Sequence, residues 1–217
     1  MRTIEQVWPF FGLRVRSGPV ELRGICDTDL PVLADVAVAG IHDPSLMPFF
    51  FPWTDMSDDD LPLNFIQYHW RNRAEFGPAR WELLLGVWFE GRLVGCQGIT
   101  TKDFLVTRTG ETGSWLGKAS QGRGIGTLMR QLICVLCFDH LDFVEVTSSA
   151  FTDNPASLAV SRKVGYVDNG EFRMRRRTEE LAVNRQLVLT PERFVRPDEP
   201  VEVTGVAPVR ALLALDR

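Results

Sequence analysis

The sequence predicts an α/β (α+β) domain, a β-sheet flanked by helices, and three observations carry that expectation. Strand-like segments and apolar-periodic helical segments follow one another along most of the chain. A strand former run, residues 111–116, feeds a glycine-rich loop that opens directly into an apolar-periodic helix. The length, 217 residues with 45% apolar and 24% charged side chains, suits one domain with a full core.

Residues 20–26 read as the first strand. Asp27, Thr28 and Asp29 then offer capping groups for a helix through about residue 39, with Leu30, Leu33, Val36 and Ala37 on its apolar face. From 43 to 53, Pro44, Pro48 and Pro52 forbid a regular helix between Phe49, Phe50 and Phe51, so this is an ordered aromatic loop. Asp58, Asp59 and Asp60 open a second helix reaching about residue 76. Residues 81–89 and 92–101 form strands joined by a Glu90-Gly91 hairpin turn. There follow strand 111–116, the main helix 124–139, strand 143–149, a short helix 154–163, and a closing antiparallel pair at 167–177 and 184–189. The order is β-α-α-β-β-β-α-β-α-β-β over a domain spanning 1–190. Residues 191–217, with four prolines and an apolar end, read as a tail extension.

Composition removes several function classes. A formal net charge of −4 argues against a dominant nucleic-acid surface. Cys26, Cys96, Cys134 and Cys137 lack paired metal-ligand spacing, and no metal site is expected. Cys134 and Cys137 lie within an apolar helix, where they read as buried thiols rather than a redox pair. There is neither a leader-like N-terminus nor an 18-residue apolar run, so a cytoplasmic protein off the membrane is expected.

The chemistry concentrates at Gln121-Gly122-Arg123-Gly124-Ile125-Gly126-Thr127. A glycine loop entering a helix leaves several amides unpaired and aimed at one spot, and the helix dipole adds positive potential there. The result is a site for a phosphate or pyrophosphate. Glycine permits close approach and positive φ, and Arg123 offers a charge-assisted contact. The dinucleotide pattern fails because Met129 stands at its third glycine, and the GxxxxGK[ST] loop fails because Thr127 stands at its lysine.

Q/R-x-x-G-x-G/A does fit, as Gln121, Gly124 and Gly126. With Trp115-Leu116-Gly117 before it, and Asp153-Asn154-x-x-Ser157 ahead of Gly165-Tyr166, the chain resembles the GCN5-related N-acetyltransferase (GNAT) superfamily. It looks most similar to the branch holding the ribosomal-protein alanine and serine N-acetyltransferases (RimJ/RimL-like). The resemblance covers roughly 20–189, with the specific motifs confined to 115–166.

The resemblance implies a mixed, splayed sheet and acetyl-CoA as co-substrate, with direct attack of a primary amine on the acetyl group. Cofactor contacts then fall on Trp115, Leu116, Gly117, Gln121, Gly122, Arg123, Gly124, Ile125, Gly126, Thr127, Asn154, Ser157 and Arg162. A free amide near Leu116 would stabilise the oxyanion. Ser161 stands where many members carry the acidic Tyr. The serine-bearing branch uses the position of Ser157 instead, whose hydroxyl otherwise bonds a carbonyl one turn back or caps the helix. Glu111 is the first candidate for the base, with Glu82 and Asp153 behind it. Phe50, Trp53 and Arg175 stand for the substrate side. The competing reading makes the aromatics core or a dimer seam and the arginines a solvated edge. The amine is a small molecule or a protein N-terminus. The alternatives are an acyl-CoA-binding sensor without turnover and an interaction module of the same fold.

Overall fold

The computed structural model describes residues 1–216. Nine strands form one sheet: β1 (Arg14–Ser17), β2 (Val20–Gly24), β3 (Glu82–Phe89), β4 (Arg92–Thr101), β5 (Thr109–Leu116), β6 (Glu145–Phe151), β7 (Val167–Arg175), β8 (Leu181–Leu189) and β9 (Glu202–Thr204). Their spatial order is β7-β8-β6-β5-β4-β3-β2-β1-β9. The helices are α1 (Ile4–Val7), α2 (Leu30–Val38), α3 (Leu61–Ala74), α4 (Phe104–Thr107), α5 (Ile125–Val135), α6 (Pro155–Val164) and α7 (Val206–Leu212). The predicted order is present, with extra elements at both ends and one further short helix, α4, between β4 and β5.

Local chemistry explains most boundaries. Glu90 and Gly91 both take positive φ, 50° and 77°, the twist a two-residue hairpin needs between β3 and β4. Asn154 Oδ1 caps α6 by accepting from the Ser157 amide at 3.1 Å. Gly165 ends that helix at φ 105°, where a Cβ would fall 2.1 Å from the Arg193 carbonyl oxygen. Asp29 does not cap α2 through its side chain. Its carboxylate instead accepts from the Cys26 amide at 2.8 Å, tightening the turn before the helix.

Helix α5 is buried continuously from Met129 to Val135 and leads into a wider turn at Leu136–His140. It lies against the sheet in the main core, while α2 and α3 close a second apolar cluster around Leu30, Leu33 and Phe65. Cys134 and Cys137 are fully buried as read from the sequence, and burial pushes the Cys134 thiol up to about 11. The terminal segment adds β9 to the edge of β1 and sets Val209 and Leu213 into the main core. Among the described residues no helix is long and apolar enough to cross a membrane.

One interruption of the sheet positions the site. Parallel pairing of β5 with β6 runs only from Thr109↔Glu145 to Thr112↔Ser148. Beyond it β5 stays on β4, Gly113↔Gly98 through Leu116↔Gly95, while β6 stays on β8 as far as Phe151↔Asn184. The sheet therefore forks beyond Thr112 and Ser148, leaving a free edge on 113–116 that faces the unpaired edge of 149–151.

Candidate active site

A cleft of about 580 Å³ occupies the fork, bounded by β5, the start of α5, the start of α6 and the 41–49 loop. Gly122 and Gly124 take positive φ, 73° and 81°, and Gly124 precedes the first turn of α5. Among the described residues, the amides of residues 122 to 126 donate to no backbone acceptor. They collect at the positive end of α5, so the cleft ends in an anion cradle. No atom lies within 4 Å of the Cβ position at Gly122 or Gly124, which keeps the approach open.

The other end of the cleft is the free edge. Gly117 N donates to Val94 O at 2.9 Å, fixing the phase of the β4–β5 ladder. Alternation turns the Trp115 amide to β4 and those of Ser114 and Leu116 into the gap. Gln121 spans the two ends, its Nε2 donating to Leu116 O at 2.8 Å and to Ile41 O at 2.6 Å. It braces the loop against the strand. Ser157 faces the same cleft from α6, and its hydroxyl bonds neither the carbonyl one turn back nor the helix end, because Asn154 does the capping.

On the opposite side of β5 is an aromatic cavity of about 490 Å³, walled by Phe49, Phe51, Trp53, Phe65, Tyr68 and Trp115. Phe49, Ser114 and Trp115 line both cavities, so the two meet at the free edge. Trp115 packs against both Trp53 and Phe65, with ring centroids 5.8 and 6.0 Å away. His69 lies 3% exposed in this wall, and burial lowers its imidazole to about 4, so the ring is neutral at pH 7. The Tyr68 hydroxyl donates to Glu82 Oε1 at 2.6 Å. Burial pushes the Glu82 carboxyl up, against the hydrogen bonds from Tyr68 and Thr100, and raises the Tyr68 phenol too.

Several expected residues lie elsewhere. Arg123 is stacked 4.5 Å over the Phe89 ring and is absent from the cleft wall, because loop geometry turns its side chain away from the amides. Arg162 is exposed on the outer side of α6, and its neighbour Lys163 lines the cleft instead. Ile125 points into the core and Gly117 spends its amide on β4. Glu111 accepts from Ser149 Oγ at 2.7 Å and borders neither cavity, because it sits where β6 still pairs with β5, opposite Thr147. Phe50 leaves the pocket to stack on Phe172 at 6.2 Å. Arg175 is exposed at the end of β7; Arg176, the first residue beyond the strand, turns inward in its place. Arg176 ion-pairs Asp153 at 2.8 Å and also Glu180, which removes Asp153 as a free base. Trp53, Trp115, Leu116, Gln121, Gly122, Gly124, Gly126, Thr127, Asn154 and Ser157 do converge on the two cavities.

Sequence reading missed Arg130. It lies 4% exposed on α5, lines the cleft and donates to Ser114 Oγ and Ser148 Oγ, each at 3.0 Å. The available signal was an arginine inside an apolar helical run.

Fold and cleft together define a domain built to hold an extended, anion-ended ligand along a forked sheet edge. The family described as Acetyltransferase (GNAT) domain matches residues 20–167, and the chain belongs to that family. It is 30% identical over 88 residues to YdaF of Bacillus subtilis (strain 168), which carries the name of a ribosomal N-acetyltransferase. That alignment spans 41% of this chain and 48% of YdaF, about half its length. Among solved structures, Mycobacterium smegmatis RimJ in complex with CoA-disulfide superposes with a TM-score of 0.70 at 20% identity, covering 92% of this chain and 91% of that one. RimL, a ribosomal L7/L12 alpha-N-protein acetyltransferase in complex with coenzyme A, gives 0.62 at 16% identity over 80% and 95%. The microcin C7 self-immunity acetyltransferase MccE, in complex with acetyl-CoA and AMP, gives 0.63 at 16% over 80% and 93%. These likenesses establish the shared fold.

Proposed function

We propose that this chain is an acetyl-CoA-dependent N-acetyltransferase that acts on a primary amine carried by an apolar body, in the first instance a protein N-terminus. The observation that carries the reading is the single cleft joining the free amides of 122–126 to the free Leu116 amide at the fork. The first end suits a pyrophosphate and the second a thioester carbonyl. The names of YdaF and RimL favour a protein N-terminus, and an aromatic cavity opening onto the same edge suits an apolar side chain beside the amine.

Acetyl-CoA would supply an acetyl thioester. The amides of 122–126 and Thr127 hold its diphosphate, and the β5 edge holds its arm. The Leu116 N–H bonds the carbonyl oxygen as negative charge develops there. The amine reaches the carbonyl carbon from the aromatic side, where the Tyr68–Glu82 pair takes its proton: the phenol accepts it while passing its own to the carboxylate. The raised affinity of Glu82 for a proton suits that role. Ser157 gives its hydroxyl proton to the departing sulfur and regains one from solvent, to which Glu82 releases the amine's proton. The C–N bond forms as the C–S bond breaks.

Thiol release from acetyl-CoA across N-terminal peptides and small amines tests the reading. Amine-dependent release that disappears in Gly124→Trp, which fills the cradle, supports it. Tight acetyl-CoA binding with no release on any amine favours a sensor without turnover, and no binding removes the cofactor reading.

A further inference from the structure

We propose that the cleft accepts an acyl-CoA whose acyl chain ends in a carboxylate, and that Arg130 is the residue that reads this carboxylate. The inference rests on the acyl-CoA reading above and adds the donor's chemical class to it.

Arg130 is a full cation 4% exposed within the most apolar stretch of α5, between Met129 and Leu132. Its hydrogen bonds are to two neutral hydroxyls, Ser114 Oγ and Ser148 Oγ, its Nε has no partner, and its aromatic neighbour, the neutral Tyr166 ring, lies 5.9 Å away. Among the described residues no carboxylate lies within ion-pair distance of it. The other buried arginine, Arg176, shows the usual arrangement, held between Asp153 and Glu180. A buried charge without a counter-charge is strongly unfavourable. Joining two hydroxyls does not require it, since a neutral amide side chain bonds hydroxyls without burying a charge. The positive charge is explained if an anion completes the set.

Position selects which anion. Ser148 belongs to the last β5–β6 pair and Ser114 is the first β5 residue beyond the fork with an amide facing the gap, so the guanidinium sits at the crotch of the fork. The diphosphate cradle is at the other end of the cleft. A thioester carbonyl on the free Leu116 amide, two residues along the strand from Ser114, leaves its acyl chain directed toward the crotch. An acetyl group ends short of it, whereas a four-carbon chain ending in carboxylate brings its oxygens to the guanidinium, the pairing for which arginine geometry is suited. Transfer is otherwise unchanged: the C–S bond breaks, the C–N bond forms, the amine proton passes to solvent through Glu82, the thiol takes the Ser157 proton, and the distal carboxylate is carried into the product.

The probes are CoA, acetyl-CoA, butyryl-CoA and succinyl-CoA, titrated calorimetrically against the whole chain, Arg130→Met and Arg130→Lys. Succinyl-CoA differs from butyryl-CoA at the same chain length by the carboxylate alone. The wild type is expected to bind it at least about tenfold more tightly, the factor a charge-assisted hydrogen bond typically gives. Arg130→Met should erase that ratio while CoA itself binds within about twofold of wild type, since the diphosphate cradle is untouched. Arg130→Lys should retain part of it. If Arg130 only pins the two strands, or serves the thioester itself, all acyl-CoAs shift together and the proposal falls. It falls equally if wild type shows no succinyl preference while binding CoA, with the acyl-CoA reading left standing. Should Arg130→Met not fold, the wild-type ratio and its reduction in Arg130→Lys decide. Failure of every CoA species to bind removes the acyl-CoA reading and this inference with it.

Discussion

Burial accounts for the charge state of His69, and that has a measurable consequence. The unfolded imidazole protonates as pH falls through about 6.5, while the folded one resists until about 4. Between these values the unfolded state binds more protons, so stability drops as pH falls through the window and is unaffected by this group above it. The loss should amount to about 2–3 kcal/mol by pH 4.5. Urea unfolding at pH 7 and 4.5 should therefore show a smaller acid loss for His69→Phe than for wild type. Carboxylates held low by arginines, such as Asp27 and Asp55, act alike in both proteins and cancel. Ser157 gives a second residue-scale test. If its hydroxyl protonates the leaving sulfur, Ser157→Ala lowers kcat by about a hundredfold or more with little change in CoA affinity. A kcat within twofold of wild type would assign the proton to another donor. Glu82→Gln should lower kcat and flatten the acid limb of the pH profile, because the group with the raised proton affinity is gone.

At the scale of elements, two arginines of the closing hairpin hold the aromatic loop. Arg177 makes a two-pronged ion pair with Asp55, 2.7 Å on each arm, and donates to Pro44 O at 3.1 Å. Arg176 donates to Met47 O at 3.4 Å from the buried side. Both grip a segment that walls the aromatic cavity and the cleft. Because the Arg177 pair is partly exposed, Arg177→Ala should cost no more than about 1 kcal/mol of stability. Its larger effect should be on the amine: KM several-fold higher with CoA affinity unchanged, read by steady-state kinetics beside calorimetry. Equal losses for amine and CoA would mean the loop serves both cavities. The loop also shows where sequence reading stops. Its prolines and aromatics announced an ordered, irregular segment, and motif spacing placed Gly124, Asn154 and Ser157 in one cleft. Which aromatic faces the pocket depends on contacts with a hairpin more than a hundred residues away, so Phe50 and Phe51 exchange roles without any local signal. The same holds for Arg175, the last residue of β7, and Arg176, the first beyond it, whose inward turn is set by partners distant in sequence, Asp153 and the Met47 carbonyl.

For the whole molecule, the fork is the feature to explain, and it depends on both sides of the sheet staying intact while the middle opens. The sequence made the central strands legible because each carries its own pattern. It did not make β1 or β9 legible, since these are short strands of three or four residues held by pairing, β1 between β2 and β9, and β9 on β1 at the sheet's end. The terminal residues, which read as a tail, carry Val209 and Leu213 into the main core at 0% exposure. Arg210 ties α7 to the turn after α5, donating to His140 O at 2.7 Å and pairing with Asp142 at 2.9 Å. Neither α7 nor β9 contributes a residue to the wall of the cleft. Leu213→Ala should therefore act on stability and not on the site. Truncating a fully buried leucine costs about 2–5 kcal/mol, and a chain of this size loses about 2–4 °C of Tm per kcal/mol. Thermal melts should fall by roughly 5–15 °C, while calorimetry at 20 °C should return wild-type CoA affinity from the folded fraction. A drop in CoA affinity with an unchanged Tm would mean that the terminal helix reaches the cleft through α5 instead of only bracing the edge of the sheet.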